Sequence, residues 1–310
     1  MGSTVIKVIG IGGAGGNAID RMMKCDIKGI EMIAVNTDTQ DLKKIKAHFK
    51  LRIGKDSAKG LGAGMNPLMG EKAAQESAEE LKKLLTGVDM VFLAAGLGGG
   101  TGSGAVPVIA EIAKAQGALT IAVVTKPFSF EGLCRAKIAE KALEDIRGKV
   151  DTLLVIPNDH ILKLVNEDTS VMEAFWKVDE ILRQAVQGIS DLIVVPGIIN
   201  VDFADLKAIM KDSGQAVFGM GKAVGDKKIE TALDSALHSP LLEMSIKGAT
   251  GILFNIVGSD DLSLSEIQEV AQKIRAEVSP QAKIIFGATH DKSLKTGEVK
   301  LTLIATGFGK

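Results

Sequence analysis

The 310 residues carry 37 Lys and Arg against 38 Asp and Glu, a formal net charge of -1, which excludes the basic footprint of a nucleic-acid binder. A composition of 46% hydrophobic and 24% charged residues excludes a disordered chain, and the length leaves room for two domains with separate cores. Two cysteines, Cys25 and Cys134, are too few and too far apart for a disulfide framework, and His48, His160, His238 and His290 lack metal-ligand spacing. Both cysteines stand beside apolar residues and are expected to be free, packed thiols of a cytosolic protein.

The opening Met1-Gly2-Ser3-Thr4 is too short and polar for a signal peptide, and every strongly apolar stretch is interrupted by Gly, Pro or charge before it could span a membrane. Short apolar runs predict strands at Val5–Ile9, Met32–Asn36, Lys50–Ile53, Met90–Ala95, Leu119–Thr125 and Thr152–Ile156, separated by helical stretches. Their near-continuous apolar character fits a parallel sheet buried on both faces. Asn66-Pro67 pairs an N-cap with a proline at the first helical position, which predicts a helix from Leu68 to about Leu85. The alternation is that of a doubly wound α/β sheet, on which ligands bind outside the carboxyl ends of the strands.

A long helix is predicted from Val171 to Ile193. Val171, Phe175, Val178, Leu182, Ala185, Ile189 and Leu192 form its apolar stripe, Ile181 and Val186 widen it, and Pro196-Gly197 ends it. Residues 200–310 read as a second, smaller α/β unit. Its helices are expected at 203–212, 227–237 and 263–277, and its strands at Ala216–Met220, Ile252–Val257, Lys283–Gly287 and Val299–Ala305.

Two glycine-rich loops follow predicted strands: Gly10-Ile11-Gly12-Gly13-Ala14-Gly15-Gly16-Asn17 and Gly96-Leu97-Gly98-Gly99-Gly100-Thr101-Gly102-Ser103-Gly104. A strand that feeds a glycine turn and then a helix presents backbone N–H groups and a positive helix end to an anion. The first loop alone satisfies G-x-G-x-x-G and favours an NAD or FAD site, with Asp38 as a candidate ribose ligand. The second changes the balance. Six glycines in nine residues are entropically costly and point to a ligand that must approach the backbone. Thr101 and Ser103 add hydroxyls suited to phosphate or a metal-bound water. Neither loop carries a P-loop lysine, so neutralisation falls to N–H groups, a helix end and Mg²⁺. Two such loops suggest a polyphosphate held from two sides.

The segment Gly98-Gly99-Gly100-Thr101-Gly102-Ser103-Gly104 resembles the GGGTG[ST]G signature of the tubulin/FtsZ family. Asn36-Thr37-Asp38 is similar to its NTD segment. Gly60-Leu61-Gly62-Ala63-Gly64-Met65-Asn66-Pro67 is similar to GLGAGANP, with Met65 in place of alanine. Pro127 to Gly132 with Arg135 resembles PFxFEGxxR, and Ile156-Pro157-Asn158-Asp159 resembles IPND. Asn200-Val201-Asp202-Phe203-Ala204-Asp205 resembles NxDFAD, and Ser239-Pro240-Leu241-Leu242-Glu243 resembles SSPLLE. The likeness runs over essentially the whole chain and points to the bacterial-type FtsZ branch of the family.

That resemblance implies a nucleotide-binding domain over residues 1–168, a central helix over 169–195 and a polymerisation domain over 196–310. It implies GTP and GDP as ligands, with Mg²⁺ or a monovalent cation as companion. Gly13, Ala14, Gly15, Gly16 and Asn17 would contact the nucleotide, and Gly100, Thr101 and Gly102 would hold its β- and γ-phosphates. Glu131 and Arg135 would face the ribose and phosphates, although by spacing alone they read as a surface ion pair. Asn158 falls on the base and ribose side. Asp179 would accept from guanine N1–H and the 2-amino group, which adenine does not offer together. Phe175 either stacks on the base or is a core residue of its stripe. Trp176 departs from the common family residues and is expected to report on the nucleotide without taking part.

The central helix spans roughly 35 Å at about 1.5 Å per residue, so Asp202 and Asp205 beyond its far end would not reach the γ-phosphate of their own chain. Asp202-x-x-Asp205 reads as a helix N-terminus. The resemblance adds that both acids, with Asn200, act on the nucleotide of a neighbouring copy stacked head to tail. It implies a cytoplasmic homopolymer at the mid-cell division site. Family members continue into a linker and a tether-binding peptide. Nothing follows Lys310, so this form is expected to polymerise but not to recruit division-protein tethers unaided. Tubulin itself fits less well, because the acidic C-terminal helical extension is missing. The rival readings are a dinucleotide oxidoreductase and a relative that binds GTP without hydrolysing it.

Overall fold

The computed structural model describes residues 4–308 apart from 26, 28, 165, 167, 196, 243, 260, 261, 292 and 293. Met1 to Ser3, the helix-ending Pro196, Glu243 of the SPLLE segment and the terminal Lys310 lie outside the described residues. The chain divides into two compact units, one up to Gln187 and one from Gly188.

The first unit runs β1 (Ile6–Ile11), α1 (Gly12–Lys24), β2 (Ile30–Asn36), α2 (Thr39–Lys44), β3 (Phe49–Arg52), α3 (Pro67–Glu76), α4 (Ala78–Leu85), β4 (Met90–Gly96), α5 (Gly100–Ala115), β5 (Leu119–Lys126), α6 (Leu133–Ile146), β6 (Thr152–Pro157) and α7 (Asn158–Ile161). The long α8 (Val171–Val194) follows, and the boundary between the units falls inside it. Strands β3-β2-β1-β4-β5-β6 lie side by side and are parallel throughout. The order reverses between β1 and β4, and the carboxyl ends of these two strands feed the two glycine loops. A doubly wound sheet leaves its ligand crevice at this reversal.

The central strands are legible as apolar runs because helices cover both sheet faces. Val91, Phe92 and Leu93 of β4 are completely buried, and full burial of a side chain such as Phe92 contributes about 1.5–3 kcal/mol. The helix expected from Leu68 to Leu85 is interrupted at Ser77, which separates α3 from α4. Ser77 is buried and its hydroxyl accepts from the Gly54 N–H, so the side chain is committed to a neighbouring loop at the break. The N-cap of α3 is Asn66, whose side chain accepts from Leu68 N–H.

The second unit contains α9 (Phe203–Met210), β7 (Gly214–Val224), α10 (Lys228–Leu237), β8 (Gly251–Gly258), α11 (Leu264–Glu277), β9 (Lys283–His290) and β10 (Glu298–Thr306). Strand β10 pairs antiparallel with β7 and β8, and β8 pairs parallel with β9. Strand β7 is longer than its apolar run suggests, since β10 supplies partners from Ala216 to Val224. Ser263 and Glu266 form a reciprocal capping box at the start of α11.

Both cysteines are free, as expected, but exposed rather than packed. Cys25 follows the last turn of α1, and Cys134 opens α6 off the stripe of Ala139, Ala142, Leu143 and Ile146 that faces the core. No helix among the described residues is long and apolar enough to cross a membrane.

Candidate functional site

At the end of β1 the chain passes directly into α1 through Gly12, whose φ of +73° places it in the left-handed region. The first turn of α1 then lies against the sheet. A side chain on Gly15 would overlap the Ala94 carbonyl of β4, and one on Gly16 would press on Ile45. Gly13, Ala14 and Asn17 line a cavity of about 400 Å³ outside the strand ends, whereas Gly15 and Gly16, expected at the nucleotide, do not line it and serve close packing.

The second loop borders the same cavity with Gly100, Thr101 and Gly102. Most of its glycines answer to packing. A Cβ on Gly100 or Gly102 would crowd backbone carbonyls, and one on Gly104 would overlap the Pro67 carbonyl of α3. The Gly100 amide donates to the Gly64 carbonyl at 2.8 Å, which ties the start of α5 to the loop before α3. Gly99 is different. It is the N-cap of α5 and borders the cavity, and a Cβ there would meet nothing within 4 Å, so packing does not require glycine and the position is open to a ligand. The hydroxyl of Ser103 accepts from Gly98 N–H at 2.9 Å and does not line the cavity, while the Thr101 and Thr37 hydroxyls bond each other at 2.7 Å.

Glu131 and Arg135 line the cavity and also form the ion pair read from their spacing, at 3.2 Å. Glu131 accepts in addition from Phe128 N–H at 2.9 Å. Phe175 lines the cavity too, 40% exposed, with its ring edge-on to Phe128 at 5.3 Å, so the core-residue reading fails for it. Asn158 is buried, borders the cavity, and its Oδ1 has no hydrogen-bond partner. A buried carbonyl oxygen left in that state has its desolvation cost uncompensated until a donor arrives.

Asp179 lies on α8 at the cavity wall. Burial pushes its carboxyl up to about 6, against the opposing pull of the Arg21 hydrogen bond and charge. Arg21, which sequence reading missed, donates from Nε to Asp179 Oδ2 at 3.1 Å. Its position one turn beyond Asn17 on α1 was the available signal. Asp38, the candidate ribose ligand of the dinucleotide reading, does not line the cavity; its carboxylate caps α2 by accepting from Gln40 and Asp41 N–H.

Asn200, Asp202 and Asp205 belong to the second unit. Asn200 Oδ1 accepts from Gly197 N–H at 2.7 Å, and Asp202 caps α9 through Ala204 N–H at 3.3 Å. Asp205 sits in the first turn of α9, exposed, with Oδ1 3.6 Å from Lys283 Nζ.

Residues 5–166 match the model described as the Tubulin/FtsZ family, GTPase domain, and residues 214–309 match the FtsZ family, C-terminal domain. The chain belongs to the tubulin/FtsZ family. Among solved structures it resembles FtsZ of M. jannaschii in an empty dimer, with 47% identity over 99% of this chain and 89% of that one and a TM-score of 0.95. The W319Y mutant of the same FtsZ gives 46% identity, 99% and 92% coverage and a TM-score of 0.95. CetZ1 of Haloferax volcanii in a GDP-bound monomer shares the fold at 23% identity, with 99% and 95% coverage and a TM-score of 0.83. The tubulin/FtsZ family is one of GTPases, and with both glycine loops on one cavity it displaces the dinucleotide reading.

Proposed function

We propose that this chain is a polymerising GTPase of cell division, which binds GTP in the first unit and hydrolyses it only between copies stacked head to tail. The observation that carries the reading is a division of labour. The two glycine loops, Asn158 and Asp179 line one cavity of the first unit, while the exposed carboxylate suited to activating water, Asp205, belongs to the second. Gly13, Ala14, Asn17 and Gly99 to Gly102 cradle the phosphates, Asn158 accepts from a ribose or base donor, and Asp179 takes the guanine edge. The self-association named for the M. jannaschii FtsZ dimer supports the assembly step.

The chemistry is phosphoryl transfer to water, in which a protein chiefly positions groups and stabilises charge. Asp205 accepts a proton or hydrogen bond from water poised on the γ-phosphate of the neighbouring copy, with Asp202 and Asn200 shaping the loop around it. Among the described residues no group of three or more His, Cys, Asp or Glu could cage a metal. Thr101 and Thr125 on the cavity wall would hold Mg²⁺ together with the phosphates. Bound there it neutralises phosphate charge. The filament acts in the cytoplasm at the division site, with tethers and regulators of division as further partners.

The test is the GTP hydrolysis rate per molecule against protein concentration, with light scattering in parallel. The rate is expected near zero below a threshold and to rise as scattering appears. A constant rate per molecule without scattering would mean a self-contained site.

A further inference from the structure

Behind Asp179 stand two side chains that base recognition by a carboxylate does not itself require. Arg21 of α1 donates to Asp179 Oδ2 at 3.1 Å, and its guanidinium carbon lies 4.9 Å from the centroid of the Trp176 ring. Trp176 and Asp179 are three residues apart on α8 and share a face, so one guanidinium meets both. The Arg21 side chain is 23% exposed and that of Asp179 9%, which shields the pair from competing water.

We infer that Arg21, seated on Trp176, is the positioning residue that sets guanine selectivity by fixing the plane of the Asp179 carboxylate. This rests on the reading that a guanine nucleotide occupies the cavity with its base at Asp179. To accept from N1–H and the 2-amino group together, both carboxylate oxygens must lie along the base edge. The terminal torsion of an aspartate is broad, so nothing internal to the side chain fixes that plane. A planar guanidinium bonded to one oxygen does fix it, and the same oxygen keeps a second lone pair for the base. Contact with the Trp176 ring favours the cation and limits its swing. The charge of Arg21 also opposes protonation of Asp179, which would turn an acceptor into a donor facing the base.

The experiment compares binding of GTP, ITP (which lacks the 2-amino group) and ATP to the full chain and to Arg21→Met, Arg21→Lys, Trp176→Leu and Asp179→Ala. Arg21→Met is expected to lower the GTP-over-ITP preference by about tenfold while ITP binding changes by less than about threefold. Arg21→Lys restores part of the preference, and Trp176→Leu lowers it by a smaller factor. An unchanged preference, or equal losses for all three nucleotides, overturns the inference. Asp179→Ala separates the two readings. If it abolishes the preference while Arg21→Met keeps it, the base site stands and the role of Arg21 falls. If Asp179→Ala keeps the preference, both fall. Should Arg21→Met not fold, Arg21→Lys and Trp176→Leu carry the same comparison.

Discussion

Asp179 is the residue whose environment makes the firmest demand. Its carboxyl titrates near 6 in the folded chain against 3.8 unperturbed, so the folded state holds the proton more tightly. Stability from this group is therefore full below the unfolded value, falls as pH rises from about 4 to about 6, and is lost above that, a swing of order 2–3 kcal/mol. A guanine edge needs the ionised form, so nucleotide affinity runs the other way and is expected to strengthen as pH rises through about 6. In Asp179→Asn both pH dependences should flatten, measured as melting temperature and GDP affinity from pH 4.5 to 7.5; an unaltered wild-type profile in that variant would assign the titration elsewhere. The sequence announced Asp179 only through the family likeness. It hid Arg21, whose partner lies 158 positions away, and it misjudged Cys25 and Cys134, because flanking apolar residues do not reveal which side of a helix a thiol takes.

Among the elements, α3 and α5 govern the second glycine loop. They touch backbone to backbone: a Cβ on Gly70 would overlap the Gly100 carbonyl, and one on Gly104 the Pro67 carbonyl. Neither carbonyl is the end of a flexible side chain, so relief requires the helices to part. Gly104→Ala is expected to cost about 1–3 kcal/mol or more of stability and to weaken GTP binding by displacing the Gly99–Gly102 turn, read by thermal melting and nucleotide titration. An unaffected melt would show that the helices separate freely. The strands were legible because burial on both faces leaves a continuous apolar signature. Helix α5 was not readable by periodicity, since half of its opening turn is glycine and Pro107 stands inside it. The break at Ser77 was equally silent, because it depends on a hydroxyl bonded to Gly54 in a distant loop.

For the whole molecule the central expectation concerns complementation. Asp205→Ala should bind GTP with near wild-type affinity, since Asp205 is exposed in the second unit, yet lose turnover by about 10²–10⁴-fold. Mixed with a Thr101→Ala chain that binds GTP poorly, it should regain turnover, because one partner contributes the pocket and the other the carboxylate. Additive, uncomplemented rates would place both parts in one chain. The glycine signature itself has a different standing. Gly100, Gly102 and Gly104 are held by clashes with backbone, and Ser103 by its bond to Gly98, whereas Gly99 faces open space. A lineage that abandoned nucleotide turnover would still be obliged to keep most of that heptapeptide merely to fold. A genome survey keyed to the motif would thus count silent descendants alongside working enzymes, and only the residues free of that obligation, Gly99 and Asp205 first among them, would tell the two apart.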